Sequence, residues 1–125
     1  MLSLSLPGRV FLCLAPTDMR KSFDGLMGLV QAQLGQDPLS GDLFVFRSKR
    51  GDRVKLLYWD ADGLAIWYKR LEEGTFVFPK PDEQRVQVGA QGLQIRAAEL
   101  AMLLDGIDLN GIQRRKRYQK PVSMK

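Results

Sequence analysis

Apolar positions recur along the chain with two different periods. Residues 9–15, RVFLCLA, form a short apolar run that stops before Pro16, the pattern of a buried strand. The period then becomes helical. Met19, Phe23, Leu26, Met27, Val30 and Leu34 fall on one face, with Thr17 or Asp18 placed to cap the start and Gly35 to close the end. Gly25 and Gly28 lie inside this helix, each at a cost of about 1 kcal/mol against Ala, which close packing on a sheet would justify. QDPLSGD then reads as a loop.

Residues 42–79 read as an antiparallel meander, with turns at Arg50-Gly51 and in the Ala61–Gly63 region. If both connections are even in length, parity assigns the faces. One face then carries Phe44, Phe46, Leu57, Trp59, Leu64, Ile66 and Tyr68; the other carries Leu43, Val45, Arg47, Val54, Leu56, Tyr58, Ala65, Trp67 and Lys69. The first is the better core, so helix 19–34 is expected against it, with Phe23, Met27 and Val30 buried on Phe46, Leu57 and Ile66. The second, aromatic and basic, is expected to be partly exposed. PKPDE breaks the pattern, RVQVGAQGLQI reads as a weak hairpin, and AAELAMLLDGI as a short helix with Leu100, Leu103, Leu104 and Ile107 on one side. The expectation is one α+β domain over residues 1–112: an antiparallel β-meander packed on one face by an amphipathic helix, with a short C-terminal helix. A basic flexible tail, 113–125, lacks apolar periodicity and is expected to be disordered when free.

A chain of 125 residues, 45% hydrophobic, suits one domain with a real core. Nothing approaches the ~18 consecutive apolar residues of a membrane span. The start, MLSLSLPGRVFLCLA, has no charged leading region and reads as the approach to a strand rather than a signal peptide. Cys13 stands alone, which excludes an internal disulfide and a Cys-rich metal site and fits a small core residue. The picture is a reduced, cytoplasmic protein. Histidine is absent, removing the commonest general base and the commonest zinc ligand. Asp60 and Asp62 in DADG begin like a calcium loop but lack its later ligands, and read as a turn. No carboxylate spacing singles out a two-metal site. No catalytic residue, metal or cofactor is expected.

Charge changes the picture most. The formal net charge is +5, yet the tail holds six of the nineteen Lys and Arg residues and no acid, so the body is near −1. Clustering, rather than total charge, marks a nucleic-acid binder. Arg47, Lys49, Arg50, Arg53 and Lys55 crowd one hairpin with only Asp52 opposing, and Lys69 and Arg70 end the neighbouring strand. In the tail, Arg114, Arg115, Lys116 and Arg117 are contiguous. Cations so placed can neutralise phosphates, and the tail can serve as an arm along DNA. Two other readings of the hairpin stay open: a solvated edge that discourages aggregation, and a dock for an acidic protein. Tyr58 and Trp67 share a face with Arg47 and Lys69, and read as partner-interface anchors ahead of base-stacking platforms.

The stretches DMRKSFDGL, GDLFVFRSKRGDRVKLLYWDADGLAIWYKRLEEGTFVFP and AMLLDGIDL together resemble the TnpB-type accessory protein, the product of the second open reading frame, of the insertion sequence 66 family of transposable elements. The likeness covers roughly residues 8–110. It implies a bacterial protein that assists transposition beside a separate, larger transposase that cuts the DNA. The expected partners are therefore mobile-element DNA and that transposase, with no membrane. The resemblance supplies no catalytic residue, and the DNA contacts rest on charge alone.

Overall fold

The structure, a computed structural model, describes residues 8–110. Its elements run β1 (Val10–Cys13), α1 (Phe23–Leu34), β2 (Leu43–Arg47), β3 (Arg53–Asp60), β4 (Gly63–Arg70), β5 (Gln87–Val88), β6 (Gly92–Ile95) and α2 (Ala97–Leu104). The fold is α+β: one mixed six-stranded sheet, in the order β4-β3-β2-β1-β6-β5, with two helices.

The sheet is more than a meander. β2, β3 and β4 follow one another antiparallel, but β1 lies parallel to β2 on one side and antiparallel to β6 on the other. A parallel neighbour needs a crossover connection, and α1 supplies it. All four residues of β1 are buried, as a central strand covered on both faces requires.

Arg47 pairs with Val54 and Asp60 with Gly63, so both connections are even in length. Phe44, Phe46 and Leu57 therefore share a face. With Phe11, Cys13, Leu26, Val30 and Leu34 they form one buried cluster, and Leu64 and Ile66 are half-buried against it. The Phe11 and Phe44 rings stack at 5.8 Å. Burial pushes the Cys13 thiol up from its ordinary pKa, in keeping with a core role.

The opposite face is no open surface. Val10, Leu12, Leu43, Val45, Val54 and Leu56 are buried there beneath Phe76, Phe78, Leu100 and Leu103. The expectation of a partly exposed second face holds only toward β4, where Tyr58, Ala65 and Trp67 are half-buried and Lys69 is exposed; elsewhere the irregular segment holding Phe76 and Phe78, together with α2, covers it.

The helix also differs from its expected form. It begins at Phe23 with Ser22 as N-cap, and Met19 lies outside it. Asp18 caps a separate turn instead, accepting the Arg20 N–H at 2.9 Å. Phe23 is 43% exposed, so its expected burial does not occur; the buried stripe is Leu26, Val30 and Leu34. Gly25 and Gly28 make no close approach to the sheet: a Cβ on Gly25 would meet the Lys21 side chain, and one on Gly28 would meet nothing within 4 Å. Gly35 closes the helix in the left-handed conformation. Gly89 is required by close packing, since a Cβ there would fall 2.6 Å from the Gln33 carbonyl oxygen. No described helix is long and apolar enough to cross a membrane.

Candidate nucleic-acid interface

The β2–β3 connection is a tight turn built from its own polar groups. Gly51, at φ 80°, donates its N–H to the Ser48 carbonyl at 2.9 Å. The Ser48 hydroxyl accepts the Arg53 N–H at 3.1 Å and donates to Asp52 Oδ1 at 3.2 Å. Two short polar side chains thus fix the turn and leave Lys49 and Arg50 exposed at its tip. The turn and Thr17–Met19 frame a shallow recess of about 230 Å³.

Register sets the rest. Arg53 lies directly opposite Arg70, and Val54 opposite Lys69. Alternation sends Arg53, Tyr68 and Arg70 to the α1 face and Lys69 to the other. Arg53 Nη1 is 3.3 Å from the Tyr68 hydroxyl, and Arg70 Nη2 is 3.2 Å from Glu72 Oε2. Arg53, Tyr68, Arg70 and Glu72 line an open depression of about 380 Å³. Like charges directly opposite each other destabilise a strand pair. The Arg53–Arg70 pairing is therefore a place where an anion between the two would offset a cost the fold already bears.

Two of the seven hairpin cations are committed elsewhere. Arg47 Nη1 donates to the Phe76 carbonyl at 3.2 Å, and its guanidinium stacks 4.2 Å over the Phe78 ring. Burial alone pushes its pKa below the ordinary arginine value. Lys55 is 8% exposed and donates to the Met19 and Lys21 carbonyls at 2.8 and 2.7 Å, with Tyr68 beside it at 4.7 Å. Both side chains hold the fold together, which corrects their place among surface contacts. Lys49, Arg50, Arg53, Lys69 and Arg70 remain as one corner of the sheet. Arg114, Arg115, Lys116 and Arg117 lie outside the described residues.

Tyr58 and Trp67 are half-buried on the second core, away from Arg53 and Arg70. The more exposed aromatics of the sheet are Trp59 at 36% and Tyr68 at 46%, both on the α1 face. Tyr68 is the residue sequence reasoning missed at this corner. Its position two residues before Arg70, on the same side of an end-of-strand segment, was the available signal. Among the described residues no group of three or more His, Cys, Asp or Glu side chains is arranged to hold a metal ion.

The family model described as IS66 Orf2-like protein matches residues 8–114. The chain is 38% identical over 116 residues to the uncharacterized protein y4jC of Sinorhizobium fredii, covering 93% of this chain and 92% of that protein. It is 38% identical over 100 residues to the uncharacterized protein y4hO of the same organism, covering 80% and 81%. No solved structure matches.

Proposed function

The chain belongs to the IS66 Orf2-like family, and from that premise we propose that it is a non-enzymatic accessory protein of bacterial DNA transposition that contacts DNA through the corner formed by Lys49, Arg50, Arg53, Lys69 and Arg70. The observation that carries the reading is the register pairing of Arg53 with Arg70 beside the exposed turn cations. Cations gathered against electrostatic preference fit an anionic partner with regularly spaced charges. Phosphate contacts position a protein without reading sequence, so this corner supplies affinity, and the basic tail from Arg114 to Arg117 adds a second contact. The transposase of the same element is the expected protein partner, with Tyr58 and Trp67 as its anchors on the β3–β4 side.

The test is DNA binding followed by anisotropy from low to moderate salt. Each phosphate neutralised on duplex DNA contributes about −0.9 to the log–log salt slope, so three or four contacts give a slope near −3. Arg50→Ala with Arg53→Ala should weaken binding to all sequences alike and flatten the slope by about two contacts' worth. Deleting residues 113–125 should flatten it further and independently. Equal affinity for all three proteins, or no salt dependence, would leave the transposase as the sole partner.

A further inference from the structure

β4 is the outermost strand on the basic side of the sheet, and among the described residues nothing pairs with its outer edge. The Leu71 N–H donates to the Asp52 carbonyl at 2.7 Å. Backbone groups alternate in direction along an antiparallel ladder, so the odd positions from Gly63 to Leu71 face β3. Leu64, Ile66, Tyr68 and Arg70 therefore turn their N–H and C=O groups outward.

Open edges are commonly blunted by charge, proline or a bulge. Here the five central residues, Leu64 to Tyr68, carry no charge and no proline, and all eight residues of β4 pair with β3 in unbroken register. Charge sits only at the ends: Asp60 and Asp62 before the run, Lys69 and Arg70 after it. A strand that is acidic at one end and basic at the other is complementary to an antiparallel copy of itself.

We propose that β4 is a homodimerisation edge, pairing antiparallel with β4 of a second copy about a two-fold axis at Ile66. Such an axis stands perpendicular to the sheet and keeps each face continuous across the dimer, as isologous pairing requires. Ile66 then faces Ile66 of the second copy through outward backbone groups. Leu64 lies opposite Tyr68, Ala65 opposite Trp67, and Asp62 opposite Arg70, each pair occurring twice. Ile66 is the midpoint of the uncharged run, so this register buries the whole run and matches charge at both ends. Arg70 exchanges its exposed bridge to Glu72, with side chains 58% and 62% accessible, for a cross-dimer acid. The inference does not rest on DNA binding: Arg50 and Arg53 lie outside the edge, and Arg70 is the side chain that the two surfaces share.

The test is sedimentation velocity on the full chain across a concentration range, with hydrogen exchange read at the same concentrations. The expected result is a reversible dimer in which the amides of Leu64, Ile66, Tyr68 and Arg70 gain protection as concentration rises. Ile66→Pro removes an outward N–H while leaving the β3 ladder its donors, and should give a monomer. Asp62→Lys places like charges opposite each other twice and should weaken the dimer about tenfold. Asp62→Lys with Arg70→Glu should restore it to within about threefold. If Ile66→Pro does not fold, the charge-swap pair decides alone. The proposal is overturned by a monomer at every concentration, by a dimer that Asp62→Lys leaves unchanged, or by edge protection independent of concentration, which would mean that the chain covers its own edge. The Arg50→Ala, Arg53→Ala protein should dimerise as wild type does, so failure here and failure of DNA binding are separate results.

Discussion

The ammonium of Lys55 closes the turn ahead of α1 by donating to two carbonyls that precede the helix, those of Met19 and Lys21. A buried cation with two charge-assisted hydrogen bonds is worth more to the fold than any exposed member of the same cluster. Lys55→Met should therefore destabilise the protein by about 3 kcal/mol in urea unfolding while leaving the salt slope of DNA binding at the wild-type value. Arg50→Ala should do the reverse, changing stability by less than about 0.5 kcal/mol and flattening the slope by about 0.9. A Lys55→Met protein of unchanged stability and reduced slope would return Lys55 to the surface patch. The position of Lys55 was partly legible. Even-length turns put it opposite Phe46 on the α1 face, where a cation must find a partner. Arg47 was not legible in the same way, because its acceptor at Phe76 lies 29 residues later in a segment without regular structure.

α1 shows what periodicity settles and what it leaves open. The spacing of Leu26, Val30 and Leu34 and the Gly35 stop follow from local chemistry and were readable. Phe23 fits the same spacing, yet it stands on the first residue of the helix, outside the buried stripe. Leu26→Ala should cost about 2–5 kcal/mol, since it opens a cavity among Phe11, Phe44 and Leu57. Phe23→Ala should cost only about 1–2 kcal/mol, because 43% of its surface already meets solvent. Gly28→Ala should stabilise by about 0.5–1 kcal/mol, as the added methyl enters open space in a helix interior. Thermal melts of the three variants check all of this, and a Gly28→Ala protein that melts lower would mean that something covers that face. The strands show the same division. Alternation within β2, β3 and β4 is local, so their two faces could be read. The cover on the second face, from Phe76, Phe78 and α2, and the insertion of β1 beside β2 depend on distant segments, and no local pattern announces them.

Across the whole molecule the two ends of the sheet carry opposite kinds of electrostatics. At the corner where the β2–β3 turn meets the end of β4, the five cations Lys49, Arg50, Arg53, Lys69 and Arg70 stand against Asp52, Glu72 and Glu73. Toward β6 and at the start of β2, single carboxylates are locked by several donors. Glu99 accepts the Arg96 N–H at 3.0 Å, fixing the start of α2, and meets Arg85 Nη1 at 2.8 Å in a largely buried bridge. Asp42 accepts the Arg9 N–H at 2.7 Å and the Ser40 hydroxyl at 2.9 Å, with Arg9 Nη2 at 3.1 Å. Burial pushes both carboxyls up, but the backbone hydrogen bonds and neighbouring arginines outweigh it and hold both below their ordinary values of 4.5 for Glu99 and 3.8 for Asp42. A carboxyl depressed in the folded state contributes stability that is complete above its unfolded pKa and is lost as pH falls through its folded pKa. Unfolding free energy should therefore be level near neutrality and decline as pH drops below about 4.5, the ordinary value for Glu99, with Asp42 adding to the decline below about 3.8. Glu99→Gln should cost about 3 kcal/mol at neutral pH, because it leaves Arg85 buried without its counter-charge, and should remove the Glu99 part of the acid decline. Asp42→Asn should leave that part intact and flatten the curve only at lower pH. Urea unfolding at a series of pH values separates the two. A Glu99→Gln protein whose acid decline matches wild type would show that the bridge beside α2 does not govern the acid response of the fold.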